Sequence, residues 1–312
     1  MAPISSFVLE GAARLRLGPH PERARADAEL LLLHVLGKDK AWLMAHGDDL
    51  PGDLSASYTE LLERRYKGEP IQYILAETEF YGLPFHVTPD VLIPRPETEH
   101  LVERALELVA QLQDAGAKAQ DDSSVFAARL KSCPDTEPRL SSALKAPRIV
   151  DVGTGSGAIA VVLAHKLPRA QVTAIDLSAS ALAIARENAE RNGVSIRFLE
   201  GDLLTPVGDE RFDFIVSNPP YVAEGDRAAL SIEVREFEPA LALFAGEDGL
   251  EVYCRLIPAA FAALVSGGFL LLEIGFGQSP AIGELLTSAG FTQIEFIPDL
   301  QAIPRVACAR RP

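Results

Sequence analysis

The 312-residue chain has few of the residues that build disulfide frameworks and metal sites. Its three cysteines, Cys133, Cys254 and Cys308, lie far apart and form no CxxC pair, which argues against structural disulfides or a zinc knuckle. The six histidines show no pairing typical of a metal site or a catalytic base. We therefore expect no metal and a cytoplasmic protein, since so few cysteines suit a reducing compartment.

Long apolar runs and excess positive charge are also missing. No stretch of about 18 uncharged apolar residues occurs, so no membrane-spanning helix is expected. The N-terminus lacks the basic start and apolar core of a signal peptide. The formal net charge is −15, whereas proteins that bind nucleic-acid phosphates usually carry a basic surface. The sequence thus predicts neither a membrane partner nor a direct nucleic-acid partner.

Length and composition allow two domains. The chain is 48% hydrophobic and 23% charged, which is typical of a globular protein with a sizeable core. Residues 1–78 predict a small helical domain, and residues 79–113 predict a hairpin followed by a linking helix. Residues 114–146 are rich in Ala, Asp, Ser and Lys and predict a flexible insertion. Residues 147–312 predict a second, larger domain.

Strands and helices alternate through this larger domain. The candidate strands are 148–152, 171–176, 195–199, 212–217, 268–274, 291–297 and 305–309. The candidate helices lie near 157–166, 178–191, 249–265 and 278–288. Strands separated by helices predict parallel crossover units in a Rossmann-like α/β sheet of seven strands. The loop between the last two strands is too short for a helix, so the last strand should be antiparallel, in a hairpin at the sheet edge.

Glycines mark the turn after the first of these strands. The candidate ligand contacts in this turn are Asp151, Gly153, Thr154, Gly155, Ser156 and Gly157. Glycines at a strand-to-helix turn let a ligand approach the backbone and leave amide N–H groups free at the helix N-terminus. Dinucleotide enzymes use a similar turn, so the loop alone does not select the ligand.

Acidic residues follow the next two strands. Asp176 ends the second strand, where a carboxylate can accept both hydroxyls of the ribose that NAD and S-adenosylmethionine share. After the third strand, Asp202 suits the exocyclic amine of an adenine ring and Leu203 suits its face. Asp151 and Asp202 would alternatively cap helices or turns. Features of this kind at three successive strand ends favour a binding site.

The fourth strand leads into Asn218-Pro219-Pro220-Tyr221. The prolines fix φ and remove two backbone donors, which leaves rigid carbonyls beside the Asn218 amide. The Asn218 Oδ1 and a proline carbonyl can together accept both hydrogens of an –NH2 group. Such hydrogen bonds favour a localised lone pair on a planar nitrogen, and Tyr221 can pack on that planar group. The motif predicts methyl transfer to an amide or amino nitrogen, with Asn218 also near the cofactor.

Further blocks extend over nearly the whole chain. They are Gly68-Glu69-Pro70-Ile71-Gln72-Tyr73-Ile74, Glu79-Phe80-Tyr81-Gly82-Leu83, Leu92-Ile93-Pro94-Arg95-Pro96-Glu97-Thr98-Glu99 and Glu238-Pro239-Ala240-Leu241. Together with Asn218–Tyr221, these blocks resemble the HemK/PrmC family, the glutamine methyltransferases that modify class I peptide chain release factors. One departure is Ala76, which stands where the family often has glycine.

The resemblance implies a release factor as protein partner and S-adenosyl-L-methionine as cofactor, in an enzyme expected to be a monomer. It implies that residues 1–78 dock the release factor and that the larger domain methylates the N5 nitrogen of its GGQ-loop glutamine. Cofactor contacts carry over to the glycine loop 153–157, Asp176, Leu203 and Asn218. Substrate contacts carry over to Asn218, Pro219, Pro220 and Tyr221, which are the candidate catalytic residues.

Other functions remain open on the residues alone. A glutamine methyltransferase of a ribosomal protein would share the larger domain, and only the N-terminal blocks discriminate against it. An adenine methyltransferase of DNA or RNA would use the same Asn-Pro-Pro-Tyr motif but would need a basic cleft. A hydride-transferring dinucleotide enzyme leaves Asn218–Tyr221 without a role. A non-catalytic binding module would not need both motifs intact.

Overall fold

The computed structural model describes residues 3–50, 55–126 and 146–312. The chain forms two compact units. The first unit contains Met1–Thr78, Val87–Pro89 and Ala228–Glu238, and the second contains Glu79–His86, Asp90–Arg227 and Pro239–Pro312. Two short segments from later in the chain therefore complete the N-terminal unit. Within the described residues, no helix has both the length and the apolar character needed to span a membrane.

The helices are α1 Ile4–Leu15, α2 Ala24–Leu36, α3 Lys40–His46, α4 Ser55–Tyr66, α5 Ile71–Leu75, α6 Glu99–Phe126, α7 Ala158–Lys166, α8 Ala179–Arg191, α9 Ile232–Phe237, α10 Ala240–Leu243, α11 Glu251–Ala263 and α12 Ser279–Ser288. The strands are β1 Glu77–Phe80, β2 Leu83–His86, β3 Arg148–Val152, β4 Gln171–Asp176, β5 Arg197–Glu200, β6 Phe212–Ser217, β7 Leu264–Glu273, β8 Thr292–Pro298 and β9 Pro304–Arg310. Turns of 3-10 helix occur at Pro96–Thr98, Thr205–Val207 and Glu224–Ala229.

The first unit is helical, as the sequence predicts for this region. α2 ends at Gly37, whose φ of 62° is the left-handed conformation that a glycine adopts easily at a helix C-terminus. Ala76 takes a similar conformation after α5, with φ of 57°, which explains why a glycine suits that position. The helices α1, α2, α4 and α5 enclose an apolar core that includes Ile4, Val8, Leu15, Leu31, Leu32, Leu62, Ile71 and Ile74.

A buried ion pair joins three helices of this unit. The Arg65 side chain on α4 is 2% exposed and donates from Nε to Asp27 Oδ2 on α2 at 2.6 Å. Its Nη1 donates to the Glu69 carbonyl at 2.9 Å and also to the Glu233 carboxylate on α9. Burying a charge is costly unless it is paired and hydrogen-bonded, so Arg65 holds the later segment 228–238 within the first unit.

A seven-stranded sheet forms the centre of the second unit. Its order is β5-β4-β3-β6-β7-β9-β8. Neighbouring strands from β5 to β7 are parallel, and β9 is antiparallel to both β7 and β8. The predicted Rossmann-like sheet with an antiparallel last strand is therefore confirmed. The edge strand of this hairpin is β8, whereas β9 lies inside the sheet.

Most predicted boundaries agree closely with the strands, and β7 is the main exception. It begins at Leu264 rather than at residue 268. The pairing register between β6 and β7 shifts between Phe212 and Phe214, and Gly267 on β7 has φ of 82°. An irregularity of this kind bends a strand without ending it, so Gly268, the predicted first residue of the strand, lies inside it together with Gly267.

The buried parallel strands at the centre of the sheet determine where the turns that follow them lie. All six residues of β6 are buried, as expected for a central parallel strand covered on both faces. α7 is buried from Ala158 to Ala164, so it packs as an apolar helix against the sheet. Because β3, β4, β5 and β6 are parallel, the turns at their carboxyl ends lie along one edge.

The region between the two predicted domains contains a two-stranded sheet, β1-β2, followed by α6. α6 continues through Phe126, so the first part of the predicted flexible insertion 114–146 is helical. The rest of that insertion, residues 127–145, lies outside the described residues.

Substitution of Arg65 tests the buried ion pair. Arg65→Met should lower the free energy of unfolding of the first unit by about 3–5 kcal/mol, because it removes the buried partner of the Asp27 carboxylate and leaves only the exposed Arg23 to pair with it. Arg23→Met is the matched control, because Arg23 contacts the same carboxylate at 3.3 Å but its side chain is 54% exposed. It should cost at most about 1 kcal/mol. Urea denaturation followed by fluorescence of Trp42, the single tryptophan, measures both; equal losses would show that Arg65 is no more important to Asp27 than the exposed Arg23.

Candidate active site

The glycine loop after β3 has the conformation that its sequence requires. Gly153, Gly155 and Gly157 have φ values of 71°, 55° and 81°. A Cβ at Gly153 or Gly155 would have no atom within 4 Å, so the backbone is open to a ligand there. A Cβ at Gly157 would lie 3.1 Å from Ala185 Cβ, so this glycine serves helix packing. The loop thus combines two open glycines with one that lets α7 pack closely on α8.

Asp176 connects this loop to the end of β4. Its Oδ2 accepts a hydrogen bond from Gly155 N at 2.8 Å, and its Oδ1 accepts one from Ser178 N at 2.9 Å. Burial raises the pKa of Asp176, and the backbone N–H groups oppose that shift. Each carboxylate oxygen can accept a further hydrogen bond. Asp176 therefore shapes the loop and keeps acceptor capacity for two hydroxyl groups.

Asp151 and Thr154 support the loop from within the protein. Asp151 is fully buried on β3, and its Oδ2 accepts a hydrogen bond from Thr154 Oγ1 at 2.6 Å. Burial raises the pKa of Asp151 to about 7, while the Thr154 hydroxyl opposes the shift. Thr154 and Ser156 are also buried, at 7% and 3% exposure. These three side chains are thus placed under the loop rather than on its open surface.

The turn after β5 lies beside Asp176, because Gly201 N donates to the Asp176 carbonyl at 2.9 Å. Asp202 forms an ion pair with Arg255 on α11. Leu203 has φ of 50°, which is uncommon for a residue with a side chain, and its side chain is half-buried. The predicted adenine-contacting pair therefore lies next to the predicted ribose-contacting carboxylate.

The Asn218–Tyr221 motif follows β6 and is connected to a buried carboxylate. Asn218 Nδ2 donates to Thr98 Oγ1 at 3.2 Å, and Thr98 Oγ1 donates to Glu273 Oε2 at 2.6 Å. The Tyr221 hydroxyl donates to the other oxygen, Glu273 Oε1, at 3.4 Å. The Tyr221 carbonyl accepts from Gln278 Nε2 at 3.1 Å. Both ends of the motif are thus tied to one acidic side chain.

Glu273 is the last residue of β7 and is 2% exposed. Burial raises its pKa to about 7, whereas the Thr98 hydroxyl opposes that shift. Burial and the nearby Glu273 carboxylate also raise the pKa of the Tyr221 phenol, which is therefore a neutral donor. The sequence alone predicted no role for Thr98 or Glu273. The available signal was one carboxylate in the apolar run of residues 269–274.

Among the residues that the structure describes, no group of three or more His, Cys, Asp or Glu side chains is arranged to hold a metal ion. The polar groups at the strand ends are backbone N–H groups, carboxylates and one amide. This arrangement suits a nucleoside-like ligand beside β3 to β5 and a planar polar group beside β6.

Comparison with known proteins identifies the class of enzyme as a methyltransferase, in agreement with the seven-stranded sheet and the turns at its carboxyl edge. The Methyltransferase small domain family matches residues 137–242, and the PrmC N-terminal domain family matches residues 10–75. The release factor glutamine methyltransferase of Koribacter versatilis is 41% identical over 290 residues, covering 92% of this chain and 91% of the relative. The release factor glutamine methyltransferase of Deinococcus radiodurans is 40% identical, and the match covers 99% of this chain and 98% of the relative. The chain belongs to the release factor glutamine methyltransferase family.

Solved structures agree on the fold. The hMettl16 catalytic domain, in complex with an RNA hairpin from the MAT2A 3′UTR, has a TM-score of 0.50 with this chain. It is 18% identical in sequence, and the match covers 74% of this chain and 76% of that one. At this identity the likeness shows the fold alone.

The cofactor of the protein is S-adenosyl-L-methionine, and the residues at the strand ends fit it. The Cβ positions of Gly153 and Gly155 are open, so an extended ligand can lie against the backbone. Asp176 keeps acceptor capacity beside them. An open backbone and a carboxylate with free lone pairs thus lie together at the same edge of the sheet.

The buried Asp151 carboxyl should make the free energy of unfolding of the protein depend on pH. Because its pKa is about 7 in the folded protein, the folded state holds a proton that the unfolded chain releases from about pH 4 upwards. Its contribution to stability is therefore full at low pH and is lost as the pH rises through 7. Asp151→Asn should remove this loss, so the variant should gain stability relative to the wild type between pH 5 and pH 8. Urea denaturation of both proteins at pH 5 and at pH 8 measures their free energies of unfolding. If the variant and the wild type differ by the same amount at the two pH values, the prediction is wrong.

Proposed function

We propose that the protein transfers a methyl group from S-adenosyl-L-methionine to the N5 side-chain nitrogen of a glutamine in class I peptide chain release factors, in the GGQ loop. The observation that carries this proposal is the Asn218–Tyr221 motif, fixed in place at the carboxyl end of β6 beside the open glycine loop. The names of the relatives, which match over more than nine-tenths of the chain, support the choice of substrate.

The chemistry proposed for the motif follows from the weakness of an amide nitrogen as a nucleophile. Asn218 Oδ1 and the Pro219 carbonyl accept the two hydrogens of the target –NH2 group. The rings of Pro219 and Pro220 hold this segment rigid, and the Tyr221 ring packs against the planar amide. When bound, S-adenosyl-L-methionine supplies an electrophilic methyl group. A nitrogen–carbon bond forms as the sulfur–carbon bond breaks, and the nitrogen then loses one proton to solvent.

We assign much of the rate enhancement to the positioning of the target nitrogen relative to the methyl group. Holding the nitrogen in line with the methyl group converts a bimolecular encounter into a unimolecular step. The hydrogen bonds that orient the target amide supply this alignment, and no residue needs to act as a general base before transfer.

We assign the cofactor to the glycine loop 153–157, Asp176 and the turn after β5. In this assignment Asp176 accepts the ribose hydroxyls, and Asp202 and Leu203 lie beside the adenine. Asp151, Thr154 and Ser156 contribute by shaping the loop, since they are buried beneath it. Asn218 lies where the methyl group and the target nitrogen meet.

We assign release-factor docking to the helices of the first unit. The support is the match of residues 10–75 to the PrmC N-terminal domain. The large apolar side chains of this unit that are exposed, and so available for contact, are Leu9, Leu17, Leu30, Met44 and Leu50. Because release factors act in the cytoplasm, we place the reaction there.

Replacement of Asp176 tests the cofactor assignment. Asp176→Ala should weaken binding of S-adenosyl-L-methionine by about 2–3 kcal/mol, because two hydrogen bonds to a charged acceptor are lost. Ser178→Ala is the matched control: it removes the hydrogen bond from Ala181 N that caps α8, at 3.2 Å, and leaves the carboxylate in place. Isothermal titration calorimetry measures both. Equal weakening by the two substitutions would assign the effect to α8 and not to ribose binding.

Replacement of Asn218 tests the proposed chemistry. Asn218→Ala should lower kcat at least about 100-fold because the target nitrogen loses an orienting acceptor, while the folded state is retained. Labelled S-adenosyl-L-methionine is incubated with purified release factors or with ribosomal proteins, and the modified residue is mapped by mass spectrometry. Label on a release-factor glutamine supports the proposal. Label on ribosomal proteins alone would show that these proteins, and not release factors, are the substrate. Near wild-type turnover by Asn218→Ala would contradict the mechanism.

A further inference from the structure

A chain of two hydrogen bonds leads from the buried end of β7 to the Asn218 side chain. It runs from Asn218 Nδ2 to Thr98 Oγ1 at 3.2 Å and from Thr98 Oγ1 to Glu273 Oε2 at 2.6 Å. We infer that Thr98 and Glu273 are positioning residues that determine which end of the Asn218 amide faces the substrate. This inference rests on the proposed function, because it concerns how Asn218 receives the target amide.

The direction of the chain is set by Glu273. An ionised carboxylate accepts hydrogen bonds and donates none, so the single hydroxyl proton of Thr98 points to Glu273. The Thr98 oxygen then has only lone pairs left for Asn218 and must accept from its –NH2 end. The opposite end of the amide, Oδ1, is therefore turned away from Thr98 and is free to accept from a ligand.

This orientation matters because the two ends of an amide have nearly the same shape. Rotation of the Asn218 side chain by half a turn would present its –NH2 group to the –NH2 group of the target glutamine. Two donors would then face each other, and the target nitrogen would lose the acceptor that aligns it. Thr98 selects between these two states without touching the substrate.

Glu273 also holds Tyr221 and is itself held in place. Its Oε1 accepts from the Tyr221 hydroxyl at 3.4 Å, and its backbone carbonyl accepts from the Tyr253 hydroxyl at 2.7 Å. Tyr253 is fully buried. One carboxylate therefore fixes both the amide and the aromatic ring that border the proposed substrate position.

The direction of the hydrogen-bond chain also depends on the protonation state of Glu273. Glu97 opposes ionisation of Glu273, and Arg305 favours it; Tyr221 and Tyr253 are neutral donors beside it. A protonated Glu273 can donate to Thr98, whose hydroxyl is then free to donate to Asn218 Oδ1. This reverses the chain and turns the amide. Since the pKa of Glu273 is about 7, kcat should fall as the pH falls through that value.

The test of Thr98 compares a substitution that keeps its hydroxyl with one that keeps its shape. Thr98→Ser keeps the hydroxyl and should keep wild-type kcat, whereas Thr98→Val removes it and should lower kcat about 10- to 100-fold. KM for intact release factor should not change, because the substituted group does not contact the substrate. Equal kcat for the two variants, or a loss in Thr98→Val that appears only in KM, would overturn the inference.

A measurement without turnover accompanies these kinetics. In protein labelled with 15N at asparagine, the Asn218 side-chain –NH2 signal is the one that Asn218→Asp removes. Its protons should exchange slowly with solvent in the wild type and in Thr98→Ser, and faster in Thr98→Val. Equal exchange in all three proteins would show that Thr98 does not hold the amide.

The pH profile tests Glu273. Glu273→Gln cannot ionise, so its kcat should be lower than that of the wild type and should not vary between pH 6 and pH 8. Wild-type kcat should rise over the same range. If the variant keeps the wild-type rise, Glu273 does not set the direction of the chain. If the wild type does not methylate release factor at all, the proposed function fails, and the exchange measurement alone then decides the orientation of Asn218.

Discussion

The parallel alignment of β3, β4, β5 and β6 is the constraint on which the site depends. Parallel strands place their carboxyl ends at one edge of a sheet, so four turns that are far apart in sequence become neighbours. Hydrogen bonds then connect the turns after β3, β4 and β5: Gly155 N donates to the Asp176 carboxylate, and Gly201 N donates to the Asp176 backbone carbonyl. The ligand-facing surface is therefore a product of strand pairing more than of any single motif.

The sequence carried enough information for the sheet and its turns because both are local patterns. Apolar runs locate the strands, and glycines mark the turn after β3, where the structure shows Gly153 and Gly155 in the left-handed conformation. The sequence predicts a start of β7 at residue 268, four residues late, because a glycine pair usually interrupts a strand, whereas here the pair accommodates a shift in register. The bounds of a strand depend on its neighbour, which a single strand's composition does not reveal.

The polar network of Thr98, Asn218 and Glu273 cannot be predicted from local sequence patterns. Thr98 and Glu273 are 175 residues apart in the chain, and each looks ordinary in its own segment. Only the pairing of β6 with β7, together with the turn at Pro96–Thr98, brings them to the same place. A buried carboxylate needs partners, so Glu273 indicated that donors lie nearby, but the sequence did not identify them.

The path of the chain after Tyr221 has a consequence for how such proteins evolve. Residues 228–238 belong to the N-terminal unit, where Glu233 binds Arg65, and the chain re-enters the second unit at Pro239. The N-terminal unit is thus built from discontinuous stretches of sequence. A recombination event that exchanged only the first 78 residues would leave 228–238 against a foreign surface. A recombinant that keeps the N-terminal unit intact must therefore exchange residues 228–238 together with residues 1–78.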